Sequence, residues 1–151
     1  MAASLGGVGY SPIAPGTAGS FVSLPLVWGA SHLPALPSAI LFIAMLCFSI
    51  VAAGKASVLW GKWDDQRIVI DETMGLWVAC IGLQPSEFAW FGAAFLAFRL
   101  FDITKPWPAS YFDRQVKSGV GVVMDDVAAG GWALLSLYAA KLLLTGSLLF
   151  R

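Results

Sequence analysis

The stretch that decides the fold is IVIDETMGLWVACIGL, residues 68–83, which is mostly apolar but carries two adjacent acidic residues, Asp71 and Glu72. It is apolar enough to enter a bilayer, although it is shorter than the ~20 residues of a perpendicular membrane span. One ionised Asp at the centre of a membrane helix costs roughly 2.5–3.5 kcal/mol on the insertion scale. The rest of the chain must therefore provide water or cations near this acidic pair.

The composition of the chain is that of a membrane protein. Its 151 residues are 58% hydrophobic and only 12% charged, whereas soluble proteins average about 25% charged residues. Nine basic and nine acidic residues give a formal net charge of zero, so the basic surface of a nucleic-acid-binding protein is not expected. Cys47 and Cys80 lie in apolar runs without CxxC spacing, which predicts buried thiols. Nothing in the sequence indicates an obligate protein partner.

The chain divides into apolar runs separated by connections rich in Gly, Pro or charge. The five runs are residues 21–30, 38–54, 68–83, 88–103 and 127–150. Residues 1–20, rich in Gly and Pro, are predicted to be a loop, and residues 104–126 a polar loop. The predicted fold is a single all-α integral membrane domain over residues 1–151, a compact bundle of about five membrane-embedded helices.

Five crossings would gather the charged connections at one end of the bundle. That end receives six basic residues: Lys55, Lys62, Arg67, Lys105, Arg114 and Lys117. The opposite end receives short connections containing His32 and Glu87, with Arg151 and Lys141 nearby. The positive-inside rule therefore predicts a multi-pass protein whose polar site lies at the cytoplasmic end.

A second acidic pair, Asp125–Asp126, also abuts apolar sequence at the charged end. Four such carboxylates without partners would cost on the order of 10 kcal/mol, comparable to the whole stability of a typical domain. They are therefore expected either to lie in water or to be held by cations. Carboxylate oxygens suit Mg²⁺, Mn²⁺ or Ca²⁺, whereas Zn²⁺ favours His and Cys. Since the chain has one His, a magnesium site is the better prediction.

Basic residues accompany these acidic pairs. Arg99 and Asp102 are spaced to share one helix face, and Lys105 follows just before Pro106, which disfavours helix at the preceding residue. An Arg reaching the interface with a local salt bridge explains Arg99 alone equally well. Beside two acidic pairs, we interpret it as part of a functional site.

The segment APGTAGS, residues 14–20, belongs to the same end of the bundle. Its Thr17 or Ser20 is suited to cap the first helix, where free backbone N–H groups would suit a phosphate. The GxxxxGK[ST] pattern of a P-loop is missing. By itself the segment is a weak indication of a binding site.

Four ordered motifs closely resemble the phosphatidylglycerophosphatase A family. They are GYSPIAPGTAGS (9–20), DDQRIVIDETMG (64–75), FRLFDITKPWPASYFDR (98–114) and GVGVVMDDVAAG (119–130). The resemblance extends from about residue 7 to residue 131. It implies a Mg²⁺-dependent phosphatase of the bacterial inner membrane that removes the terminal phosphate of phosphatidylglycerophosphate to give phosphatidylglycerol.

Carried over position by position, the resemblance selects ten residues. They are Thr17, Asp64, Asp71, Glu72, Arg99, Asp102, Lys105, Asp113, Asp125 and Asp126. The two acidic pairs, with Asp64 as an additional ligand, are expected to bind Mg²⁺. Apart from Thr17 and Asp64, all of these residues are expected to take part in catalysis.

The remaining selected residues are expected to handle the phosphate. Arg99 and Lys105 would bind it and offset the charge that develops in the transition state, with Thr17 adding a hydrogen bond. Asp102 and Asp113 would orient those cations or serve as an acid or base. Whether the nucleophile is water or an Asp side chain stays open.

Other functions fit the sequence less well. A small ion- or proton-coupled transporter subunit would use carboxylates on a path between both faces, but the opposite face offers little beyond His32 and Glu87. The DG…AR…G…D…D spacing of a CDP-alcohol phosphotransferase is absent. A purely structural membrane subunit leaves the acidic pairs unexplained.

Overall fold

In the computed structural model, residues 2–63 and 65–146 are described, and every regular element among them is helical. The elements are a 3₁₀ helix (Leu5–Tyr10) and the α-helices α1 (Pro15–Ala30), α2 (Ala35–Trp60), α3 (Ile70–Ala79), α4 (Phe88–Thr104), α5 (Ala109–Gln115) and α6 (Gly119–Thr145). The all-α prediction is therefore confirmed for this part of the chain.

Two of these helices, α2 and α6, are long and apolar enough to cross a membrane. Their most apolar windows have mean hydropathies of 2.4 and 1.6. The others are shorter, α3 having only 10 residues, so a bundle of about five membrane-embedded helices stays a prediction. Together with the exposed apolar residues of α2, such as Ile43 and Val51, the two long helices support an association with a membrane.

The two predicted loops, residues 1–20 and residues 104–126, are wrong in part. Residues 1–20 contain the 3₁₀ helix and the first turn of α1, because Pro15 has a backbone angle suited to the first helical position. Residues 104–126 contain α5 and the start of α6. Helix α6 begins early because the Ser118 hydroxyl caps it, accepting a hydrogen bond from the Gly121 N–H at 3.4 Å. Asp125 and Asp126 are consequently helical.

The thiol prediction holds for Cys80, which is buried, and is wrong for Cys47, which is exposed on α2. The reason is that α2 is apolar on most of its circumference, whereas its fully buried residues are the small Ser49, Ala53, Ala56 and Ser57. Cys47 lies one helical turn from Ile43 and from Val51, and shares their exposed face.

Helix α3 lies at the centre of the bundle and touches α6 through glycines. A Cβ atom on Gly130 would lie 2.1 Å from the Gly75 carbonyl oxygen, and one on Gly75 would lie 2.6 Å from the Asp126 carbonyl oxygen. Neither position tolerates a side chain unless a backbone moves. Gly75 and Gly130 thus permit the close approach of α3 and α6, which brings the two acidic pairs together.

The opposite end of the bundle is closed by the connection between α3 and α4. The Trp28 indole N–H donates to the Pro85 carbonyl oxygen at 2.9 Å. The buried Lys141 ammonium on α6 pairs with Glu87 at 2.5 Å, so the prediction that these two residues share one end is confirmed. A second Glu87 oxygen accepts the Gln84 N–H at 2.9 Å.

Candidate active site

The predicted polar residues meet in a cleft of about 450 Å³ at the charged end of the bundle. The segment before α1, the starts of α1 and α3, the end of α4 and the first half of α6 all contribute to it. Its described lining is Pro12, Ala14, Pro15, Gly16, Gln66, Ile68, Asp71, Glu72, Arg99, Asp102, Lys105, Asp125 and Asp126. Five of these residues are acidic and two are basic, which leaves an excess of three carboxylates.

Three carboxylates form the buried centre of the cleft. Oxygens of Asp71, Glu72 and Asp126 all lie within 4.8 Å of one another, and all three residues are at least nine-tenths buried. Asp71 and Glu72 occupy the first turn of α3, where the helix dipole favours negative charge. Asp126 reaches them from α6 through the contact of Gly75 and Gly130.

Asp125 points its carboxylate to a lysine rather than into this group of three. Its Oδ2 accepts a hydrogen bond from Lys105 Nζ at 2.6 Å, and Lys105 Nζ also donates to Asp113 Oδ1 at 2.7 Å. Helix α4 ends at Thr104, before Lys105 and Pro106, as predicted, and Lys105 has φ of 42°. Positive φ is uncommon for a residue with a side chain, and the two ion pairs offset its cost. One ammonium thereby connects α4, α5 and α6.

Arg99 is held beside the acidic centre by three contacts. Its Nη1 lies 2.6 Å from Asp102 Oδ2, which confirms the predicted i, i+3 pair, and 3.8 Å from Glu72 Oε1. It also donates to the Ser20 hydroxyl at 3.4 Å. A Cβ atom on Gly16 would lie 2.5 Å from Glu72 Oε1 and 3.1 Å from the Arg99 guanidinium nitrogens. Glycine therefore lets the start of α1 close over this pair.

Among the selected residues that the structure describes, Thr17 and Asp113 are not part of the cleft lining. Thr17 is exposed in the first turn of α1, and Asp113 reaches the cleft only through Lys105. Asp64 lies outside the described residues. The predicted cap by Thr17 or Ser20 is wrong, because the N-cap is Ala14 and the Ser20 hydroxyl donates to the Gly16 carbonyl oxygen at 2.9 Å.

Gly16 and Gln66 line the cleft but were not selected from the sequence. Gly16 lies between Pro15 and Thr17, in a motif whose hydroxyl residues are the more obvious candidates. The sequence at the start of a helix does not indicate which residues a glycine there will contact. Gln66 lies inside the second motif. Its signal in the sequence is its position two residues after Asp64, as an uncharged polar residue in a charged connection.

The donor set of the acidic centre fits a divalent cation. Like charges at 4.8 Å repel strongly where water is excluded, and only oxygen donors face one another in the group of three. Hard cations such as Mg²⁺ are held by carboxylates of this kind. The buried acidic cluster can therefore bind a metal ion.

The fold and cleft are those of a helical, membrane-associated protein whose acidic cluster and two adjacent cations are suited to bind a metal ion and an anionic group. The phosphatidylglycerophosphatase A family model matches residues 1–141. The chain belongs to that family and is a phosphatase. This membership favours the phosphatase prediction over the transporter alternative.

Curated relatives cover most of the chain. Phosphatidylglycerophosphatase A of Escherichia coli K12 is 35% identical over 124 residues, which are 82% of this chain and 72% of the relative. The enzyme of the same name from Haemophilus influenzae is 34% identical over 137 residues, 89% of this chain and 83% of the relative. A Bacteroides thetaiotaomicron protein named "Putative phosphatidylinositol-3-phosphatase" is 36% identical over 144 residues, 89% of this chain and 88% of the relative. No solved structure is a significant match.

Proposed function

We propose that this protein is a Mg²⁺-dependent phosphatidylglycerophosphate phosphatase of the bacterial inner membrane, with its cleft facing the cytoplasm. The observation that carries the proposal is the group of three buried carboxylates beside two cations in one cleft, in a member of this family. The reaction would hydrolyse the terminal phosphate monoester and leave phosphatidylglycerol. Six basic residues at or near this end, four of them on connections between helices, support the cytoplasmic orientation.

In this proposal Asp71, Glu72 and Asp126 hold the metal ion. A bound Mg²⁺ supplies Lewis-acid activation of the phosphoryl group and of a water nucleophile. The Asp125 carboxylate accepts a hydrogen bond from the Asp126 backbone N–H at 2.9 Å, at the position on α6 that carries this ligand. Asp125 and Asp64 stay predicted ligands, since Asp125 already accepts a hydrogen bond from Lys105.

Arg99 and Lys105, which both line the cleft, bind the phosphate oxygens. Arg99 is oriented by Asp102, and Lys105 by Asp113 and Asp125. Cations that are fixed in advance stabilise developing negative charge without a cost of reorganisation. Thr17, in the exposed first turn of α1, stays a predicted hydrogen-bond donor to the phosphate. Asp102 and Asp113 therefore act as positioning residues in this scheme.

The test is phosphate release by the purified protein in detergent micelles that contain phosphatidylglycerophosphate. We expect turnover with Mg²⁺, none after EDTA, and full recovery when Mg²⁺ is added back. Phosphatidylinositol-3-phosphate and phosphatidate, assayed in parallel, establish the substrate preference. Turnover that persists in EDTA would overturn the role of the metal, and faster turnover of another lipid phosphate would overturn the substrate.

A binding measurement separates the metal site from catalysis. An ion that binds only the folded state raises the unfolding temperature. Mg²⁺ should therefore raise the unfolding temperature of the wild-type protein and leave that of Asp126→Asn nearly unchanged. An equal rise in both proteins would place the ion elsewhere.

A further inference from the structure

Gln66 differs in chemistry from every other described residue of the cleft lining. The other polar lining side chains are all charged, and the rest belong to Pro, Ala, Gly and Ile. Charged groups suit a phosphate or a metal ion. An amide both donates and accepts hydrogen bonds, so it suits an uncharged hydroxyl. Among the described lining residues, Gln66 is therefore the one whose side chain can both donate a hydrogen bond to an uncharged hydroxyl and accept one from it.

The position of Gln66 is fixed by a tight turn. The Ile68 N–H donates to the Asp65 carbonyl oxygen at 2.7 Å, which places Gln66 at the first corner of the turn. Its side chain is exposed at the cleft. Ile68 and the residues after it are buried and lead directly into α3. The turn is thus attached to the helix that carries Asp71.

The next residue, Arg67, clamps this turn. Its Nε and Nη2 donate to the two carboxylate oxygens of Asp65 at 2.7 and 3.0 Å. Its guanidinium lies 4.3 Å from the centre of the Trp60 ring and 5.9 Å from that of Tyr10. The hydrogen bond from Arg67 lowers the pKa of Asp65, so the pair stays ionised at neutral pH. Gln66 is therefore presented from a rigid backbone, which limits the entropy lost on binding.

We propose that Gln66 determines substrate specificity by hydrogen-bonding an uncharged headgroup hydroxyl next to the phosphate that is removed. This inference rests on the proposed function. In phosphatidylglycerophosphate, the glycerol between the two phosphates carries one free hydroxyl, on the carbon adjacent to the phosphorylated one. Phosphatidate has no such hydroxyl, because its phosphate is attached directly to diacylglycerol. Cations and a metal site alone would bind both phosphates similarly.

The experiment compares kcat/KM for two substrates in two proteins. The substrates are phosphatidylglycerophosphate and its analogue lacking the headgroup hydroxyl, and the proteins are wild type and Gln66→Ala. One neutral hydrogen bond corresponds to a fall of about 3- to 10-fold. We expect each single change to give this fall and the two together to give no further fall, because they remove the same hydrogen bond. The ratio of phosphatidylglycerophosphate to phosphatidate turnover should fall equally in Gln66→Ala.

The outcomes separate this inference from the proposed function. Falls that multiply, a Gln66→Ala enzyme with wild-type kcat/KM, or a far larger fall from the hydroxyl than from Gln66 would each overturn the role of Gln66. A wild-type protein that releases no phosphate from phosphatidylglycerophosphate would overturn the proposed function itself. The matched control is Gln115→Ala at the exposed end of α5, outside the cleft lining, which should keep wild-type kcat/KM on both substrates.

Discussion

The two ends of the bundle hold their buried charges differently. At the α3–α4 connection one carboxylate, Glu87, meets one ammonium, Lys141, and the pair fastens α4 to α6. In the cleft, five carboxylates meet two cations, and three of the carboxylates face one another. Balanced charge can serve structure alone. An excess of buried negative charge destabilises the folded protein, and a bound cation can remove this destabilisation.

The largest effect is expected from removing one charge of the acidic centre. Asp126→Asn should lower phosphatase activity on the order of 100-fold or more, because it takes away a proposed metal ligand. The same change should raise the unfolding temperature in EDTA, since it relieves repulsion from Asp71 and Glu72. Phosphate release and thermal unfolding in detergent measure both effects.

The matched control for that variant is Glu87→Gln at the other end, which should keep its activity below its unfolding temperature. If Glu87→Gln lost activity as completely as Asp126→Asn, the distinction between a structural end and a functional end would be wrong.

The next effect concerns the helix contact that assembles the cleft. Gly130→Ala places a methyl group against the Gly75 backbone, so we expect a loss of about 1–3 kcal/mol of unfolding free energy. Activity should fall as well, because Asp126 moves away from Asp71. Gly131→Ala is the control. Apart from the adjacent residues and the backbone of its own helix, no atom lies within 4 Å of the added carbon. Equal stability of the two variants would contradict the contact.

A smaller effect is expected from breaking the balanced pair. Glu87→Gln should cost about 1–2 kcal/mol of unfolding free energy, because the buried Lys141 ammonium loses a carboxylate. Adding Lys141→Met to it should restore most of the loss, as removing both charges removes the imbalance. A double variant less stable than Glu87→Gln would show that the ion pair itself is strongly stabilising.

The smallest effect is a dependence on pH at the same pair. Partial burial raises the pKa of Glu87, but hydrogen bonds from Lys141 and the Gln84 N–H outweigh this and hold the pKa below its usual value of 4.5. The stability from this group is thus present above pH 4.5 and is lost as the pH falls through the lowered pKa. The unfolding temperature of wild type should therefore drop, relative to Glu87→Gln/Lys141→Met, only below about this pH. A constant difference down to pH 3 would contradict the shift.

The sequence predicted the parts of the site that follow from local spacing and charge. The Arg99–Asp102 pair and the end of α4 before Pro106 needed only helix geometry and the steric effect of proline. The different partners of Asp125 and Asp126 could not be predicted. Adjacent residues on a helix point about 100° apart, and which of the two faces α3 depends on how the helices pack. The start of α6 was predicted to be a loop because Gly119 and Gly121 have low helix propensity, although Ser118 caps the helix there.

The brevity of α3 has a consequence for where the chemistry takes place. Ten residues rise about 15 Å, roughly half of the ~30 Å hydrocarbon thickness of a bilayer. Placed in a membrane with Asp71 at the surface, α3 would end near mid-depth, and the non-helical turn after it would lie below the opposite surface. Such backbone is tolerated at that depth only when protein covers it. The Trp28 indole and the Lys141–Glu87 pair would then cover this turn with protein. A helix only half as long as a membrane span can therefore carry a site at the membrane surface.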